Sequence, residues 1–146
     1  MDIKAIAAKI IRKYNTNSPF RIAKEMGVLV LYYPLKTTLG RYTKYCRIKS
    51  IIINNNADES LWKFICAHEL AHSLLHPNMN MARMISASPY MNASRFENEA
   101  NLFAVELLLP DSDIAAHPNW TKEFHAKNSG IPVEMIRLKK FPRKES

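Results

Sequence analysis

The hydrophobic positions change period several times along the chain, and each change marks an element. Ile3, Ile6, Ala7, Ile10, Ile11 and Tyr14 recur at helical spacing with lysines between them, which predicts an amphipathic helix over residues 2–14. Asn15 to Pro19 interrupts it. Ser18 before Pro19 is a cap and first-turn pair for a second short helix that reaches Met26 and ends at Gly27. Val28 to Tyr33 is an apolar run stopped by Pro34 and predicts a strand. Alternation from Arg41 to Ile48 predicts a second strand, and the isoleucine-rich Ser50 to Asn54 a third. Three strands so closely spaced suggest a small antiparallel sheet.

Asp58 then opens a long helical pattern whose apolar members are Leu61, Trp62, Ile65, Leu70, Leu74 and Leu75, running to about His76 because Pro77 forbids continuation. Residues 77–92 hold prolines, asparagines, serines and methionines and read as a long loop, a kind of segment that is often functional. Ala93 to Leu109 is helical again and ends at Pro110, and short helices are expected around 111–116, 120–127 and 132–139. The chain shows no internal repeat. The predicted fold class is α+β, with the small sheet packed on the long helix.

At 146 residues the chain has the length of one domain, residues 1–146, in which the basic run from Arg137 to Lys144 reads as a solvated tail over 137–146. Charged residues break up the first fourteen positions, so no signal peptide is predicted, and no segment has the length of a membrane span. Cys46 and Cys66 form no paired framework or metal-type spacing, which fits reduced thiols and a cytoplasmic protein. The formal net charge of +8 raises the question of nucleic acid, but the basic residues are scattered and no recognition motif stands out. Direct nucleic-acid binding is therefore not expected. The charge equally favours an acidic protein partner.

The strongest chemical signal is His68-Glu69-Leu70-Ala71-His72. On a helix, residues four apart stack on one face, so both imidazoles reach one metal, and Glu69 points to the same side as a base for an attacking water. The flanking apolar residues make this a mostly buried helix, where such polar groups need a purpose. A catalytic zinc usually takes a third protein ligand. A histidine six residues beyond His72 is excluded because Asn78 stands there. His76 lies a turn further along and reads as a residue that meets the free carbonyls of the helix end. The helix beyond the loop offers Glu97, Glu99 and Glu106. Glu99 has Phe96, Leu102 and Phe103 as its helical neighbours and so faces inward, where a carboxylate needs a cation, whereas Glu97 has Ala93, Ser94 and Asn101 and can remain in water. Glu99 is the preferred third ligand on this reading. Glu106, near the helix end, and Glu97 are the weaker alternatives. Two histidines and a carboxylate suit zinc, and manganese as well. Tyr42, Tyr45, Tyr90, His117 and His125 are candidates for a group that assists at the oxyanion.

The two motifs together, His68-Glu-Leu-Ala-His72 and Glu97-x-Glu99-Ala-Asn-x-Phe-Ala followed by Leu107-Leu-Leu-Pro110, resemble the ImmA/IrrE metallopeptidases, which are zincins. The resemblance runs from about residue 18 to 115. It implies a zincin-like minimal metallopeptidase with one zinc on His68, His72 and Glu99 and with Glu69 as the catalytic base. It further implies an endopeptidase that cleaves a helix-turn-helix transcriptional repressor and so induces mobile-element, phage or stress genes. The alternative is a non-catalytic anti-repressor that sequesters the same partner. By analogy with zincins, the strand Ser50 to Asn54 would be the sheet edge on which an extended substrate adds.

Overall fold

The computed structural model describes residues 1–77 and 95–142. The first helix, α1, spans Ile3–Tyr14; the Asp2 side chain accepts a hydrogen bond from the Ala5 N–H, and Asn15 ends the helix in the left-handed region at φ 54°. Its apolar stripe turns inward with Ile3 and Ala7 buried. Helix α2, Pro19–Glu25, is capped by Ser18, whose hydroxyl accepts from the Arg21 N–H, and its Ile22 and Ala23 are buried in the core.

Three strands follow: β1 (Leu29–Tyr33), β2 (Gly40–Tyr45) and β3 (Ile48–Asn54). Their order is β1-β3-β2, with β3 parallel to β1 and antiparallel to β2, so the sheet is mixed rather than antiparallel. The cause is the placement of β3 between β1 and β2. Cys46 and Arg47 both take positive φ, 50° and 68°, forming the tight two-residue turn that folds β3 back between its predecessors. The predicted second strand ran through this turn to Ile48. Because β3 is central, it is also not the edge that the zincin analogy expected. Its Ile51 and Ile53 are fully buried. The Asn54 side chain, at its end, donates to the carbonyls of Leu35 and Thr38 and accepts from the Leu35 and Asn56 N–H groups, which fixes the loop leading into β2.

Helix α3, Glu59–Leu75, is capped by Asp58 and packs its middle against the sheet and against α4, Arg95–Leu108. Phe103, Ala104, Val105, Leu107 and Leu108 of α4 are fully or almost fully buried beside Ala67, Leu70 and Ala71 of α3. Most of the predicted 77–92 loop lies outside the described residues. Two short helices, α5 (Asp111–Ala116) and α6 (Lys122–Ser129), and a 3-10 turn (Val133–Leu138) close the C-terminal side.

The predicted basic tail is corrected at one position. Lys139 is 4% exposed and joins two carboxylates, Glu106 Oε2 at 3.0 Å and Asp111 Oδ1 at 2.8 Å, while Lys4 meets the other Asp111 oxygen at 2.7 Å. A lysine with two anionic partners can be buried, and this one fastens the end of the chain to α4, α5 and, through Asp111, to α1. Among the described residues no helix is long and apolar enough to cross a membrane.

Candidate metal centre

The C-terminal half of α3 supplies His68, Glu69 and His72, and the first two turns of α4 face them. One helical turn separates the two histidines, and their rings meet edge to face with centroids 5.0 Å apart. Both Nε2 atoms converge on one carboxylate: Glu97 Oε2 lies 3.0 Å from His68 Nε2, and Glu97 Oε1 lies 2.9 Å from His72 Nε2. Donor atoms of these three residues all fall within 4.8 Å of one another.

The structure therefore brings Glu97, and not Glu99, to the histidine pair. Glu99 turns instead to His76, with Oε1 3.3 Å from Nε2, and Arg95 lies 3.9 Å away. The inward-face argument failed for a physical reason. The carboxylate that meets the histidines is the more exposed one, 40% against 17%, so an inward-facing position did not select the donor. Glu106, the other alternative, is committed to Lys139.

Contacts around the cluster fix its histidines. The Nδ1 of His68 lies 2.8 Å from Asn101 Oδ1, and since the amide oxygen only accepts, Nδ1 donates to it and Nε2 is the atom left to face Glu97 and a metal. Asn101 sits one turn after Glu97 on the same face of α4, so the spacing of those two was the signal in the sequence for this side of the site. The Nδ1 of His72 meets His76 Nδ1 at 3.0 Å. His76 is thus a buried neighbour of a candidate ligand, although its backbone N–H does bond the His72 carbonyl at the helix end.

Charge at the site follows from this crowding. Burial works against a charged His68, but the Glu97 hydrogen bond and the Glu69 and Glu97 charges prevail and raise its pKa. Burial likewise disfavours ionised Glu97, yet contact with both histidines holds its carboxyl far below the usual range. Burial pushes Glu69 up, partly offset by His68 and His72. For His76, burial lowers the pKa against the pull of Glu99. Burial also pushes the neighbouring Cys66 thiol up to about 12, which leaves it an inert core group.

The remaining candidates separate. Tyr42 is buried, and its hydroxyl has no hydrogen-bond partner among the described residues. Tyr45 is 78% exposed at the hairpin end. His117 and His125 belong to a C-terminal aromatic cluster around Trp120, with His125 Nε2 donating to the His117 carbonyl. Tyr90 lies outside the described residues. Gly40 at the start of β2 is a site residue that periodicity could not reveal: a Cβ there would lie 2.5 Å from Ile65 Cγ2 and 3.1 Å from Glu69 Cγ.

Two histidines and a carboxylate on facing helices, with a second glutamate one residue along, correspond to a known family. Residues 23–139 match the Peptidase_M78 family model, the IrrE N-terminal-like domain. The chain belongs to this family. Among similar proteins, an "Uncharacterized immunity region protein 2" of Bacillus phage phi105 is 36% identical over 140 residues, covering 94% of this chain and 88% of that protein. "Metallopeptidase ImmA" of Bacillus subtilis (strain 168) is 28% identical over 109 residues, 75% of this chain and 64% of the relative.

A metal ion is implied for a Peptidase_M78 member, and the residues fit one. His72 Nε2 is fully buried and, despite its nearness to Glu97, lacks the alignment of a hydrogen bond. Glu69 Oε2 is also buried, with no hydrogen-bond partner among the described residues. Orphaned acceptors gathered this closely are costly unless a cation or a water joins them.

Proposed function

We propose that this chain is a zinc-dependent endopeptidase in which His68, His72 and Glu97 hold the ion and Glu69 is the general base. The observation that carries the reading is the convergence of three donors within 4.8 Å beside a buried carboxylate oxygen that has no hydrogen-bond partner among the described residues. Zinc, when bound, would polarise the scissile carbonyl and acidify a water. Glu69 is suited to take that water's proton and deliver it to the departing amine, because burial has raised its proton affinity. Manganese would serve the same donors.

The strand suited to substrate is β2. It is an edge of the sheet and crosses α3 at Glu69 through Gly40. The Leu39 carbonyl accepts from the Asn54 N–H, so by antiparallel alternation Arg41 and Thr43 also pair inward, and Gly40 and Tyr42 turn their backbone groups to the free edge. An extended peptide added there would run past the metal centre.

Similarity to a phage immunity-region protein and to a metallopeptidase supports a role in phage immunity. In this reading the protein substrate is a helix-turn-helix repressor, cut in the cytoplasm. The test uses purified protein and the repressor of the same immunity region. Wild type is expected to cut it, while Glu69→Gln retains zinc and loses cleavage by at least about 100-fold. Relief of repression by Glu69→Gln without any cut would contradict the enzymatic reading and make the chain a sequestering anti-repressor.

A further inference from the structure

We propose that His76 and Glu99 form a relay behind the metal centre, one that fixes the tautomer of His72 and tightens its hold on the ion although neither residue touches it. The inference rests on the metal-centre reading above. His72 Nδ1 and His76 Nδ1 are 3.0 Å apart, and His76 Nε2 is 3.3 Å from Glu99 Oε1. The middle ring is 6% exposed and cannot drift: its own backbone N–H donates to the His72 carbonyl, and Phe96 meets it edge-on with centroids 4.7 Å apart.

Proton placement gives the chain a direction. An ionised carboxylate has no hydrogen to offer, so His76 Nε2 donates to Glu99. A neutral His76 then has a bare Nδ1, which can only accept, and His72 Nδ1 must donate to it. The lone pair of His72 is left on Nε2, the atom that faces Glu97 and His68. Negative charge at Glu99 also draws the proton of each ring outward, which makes His72 the stronger donor to a metal.

Both candidate ligand histidines are thereby oriented from α4, His68 by Asn101 directly and His72 by Glu99 through His76. This gives the inward glutamate of the helix a purpose that its distance from the histidine pair would otherwise leave unexplained. Arg95, 82% exposed and 3.9 Å from Glu99, is at most a weak counter-charge at the outer end. His76 and Glu99 are positioning residues in this arrangement.

The experiment is competition for zinc between a chromophoric chelator and the full-length wild type, Glu99→Gln, His76→Gln and the double variant. Thermal melts of each protein in excess chelator accompany it. Each single variant is expected to bind zinc about 10- to 100-fold more weakly. The double variant should lose no more than the weaker single one, because the two residues act in series. The metal-free melt of Glu99→Gln should overlay that of wild type. Should His76→Gln fail to fold, Glu99→Gln decides with a second readout, an altered nitrogen shift of His72 Nδ1 in the zinc-loaded protein. Unchanged zinc affinity in Glu99→Gln, additive losses in the double variant, or an affinity loss that merely follows a lowered metal-free melt overturns the relay and leaves the metal centre standing. A wild type that binds no zinc overturns both.

Discussion

At Gly40 the backbone of β2 passes so close to α3 that a single methyl group would collide with Ile65 Cγ2 and press on the Glu69 stem. Ile65 is buried and β-branched, so it has little freedom to yield. Gly40→Ala is therefore expected to displace Glu69, lowering kcat/KM about 10- to 100-fold, with a stability loss of about 1–3 kcal/mol from overpacking. Zinc content should not change, since the atoms nearest the added methyl belong to Ile65 and Glu69 and not to the three donors. Steady-state kinetics beside a thermal melt and metal analysis checks this; full activity in the variant would remove the contact from the account. Glu97 shows where reading the sequence stops. His68, Glu69 and His72 were legible because helical spacing alone places them on one face. The third donor depends on where the second helix crosses, and hydrophobic neighbours single out the inward Glu99, whereas the carboxylate at the histidines is the half-exposed Glu97. A carboxylate can leave water for a ligand without lying on the apolar face.

Among the elements, α4 does the most to join the fold to the site. One face carries Glu97 and Asn101 to the histidines, and its far end carries Glu106 to Lys139. The Lys139 side chain is fully buried and Glu106 nearly so, which makes the pair sensitive to loss of one member. Lys139→Met should destabilise the protein by about 3–5 kcal/mol by stranding the Glu106 charge. Adding Glu106→Leu should recover most of that loss, as read from chemical denaturation, and a single variant as stable as wild type would refute the buried-pair account. Helix positions were largely legible because caps such as Ser18 and Asp58 and stops such as Pro77 and Pro110 are local signals. The strands were less so. Cys46 and Arg47 form a left-handed turn without the glycine or asparagine that usually marks one, so the hairpin ran unseen into the predicted strand. The parallel pairing of β1 with β3 follows from β3 lying between β1 and β2 instead of beyond β2, and has no local signature.

For the molecule as a whole, a mixed three-stranded sheet packs on α3, α3 packs on α4 to form the centre, and short helices and a 3-10 turn follow α4. Burial of Lys139 means the C-terminal segment is part of this body up to the 3-10 turn and just beyond it, where charge density alone suggested a solvated tail. Long-range pairing of that kind, between positions 139 and 106, cannot be seen in the local pattern. Membership of the Peptidase_M78 family makes the same centre the place where function must be tested. The most direct measurement is zinc content per chain after dialysis, by elemental analysis, for wild type, Glu69→Gln and Glu97→Ala. The account predicts one zinc per chain in wild type and in Glu69→Gln, and none in Glu97→Ala. A wild type without zinc, or a Glu97→Ala variant that keeps it, would contradict the proposed centre.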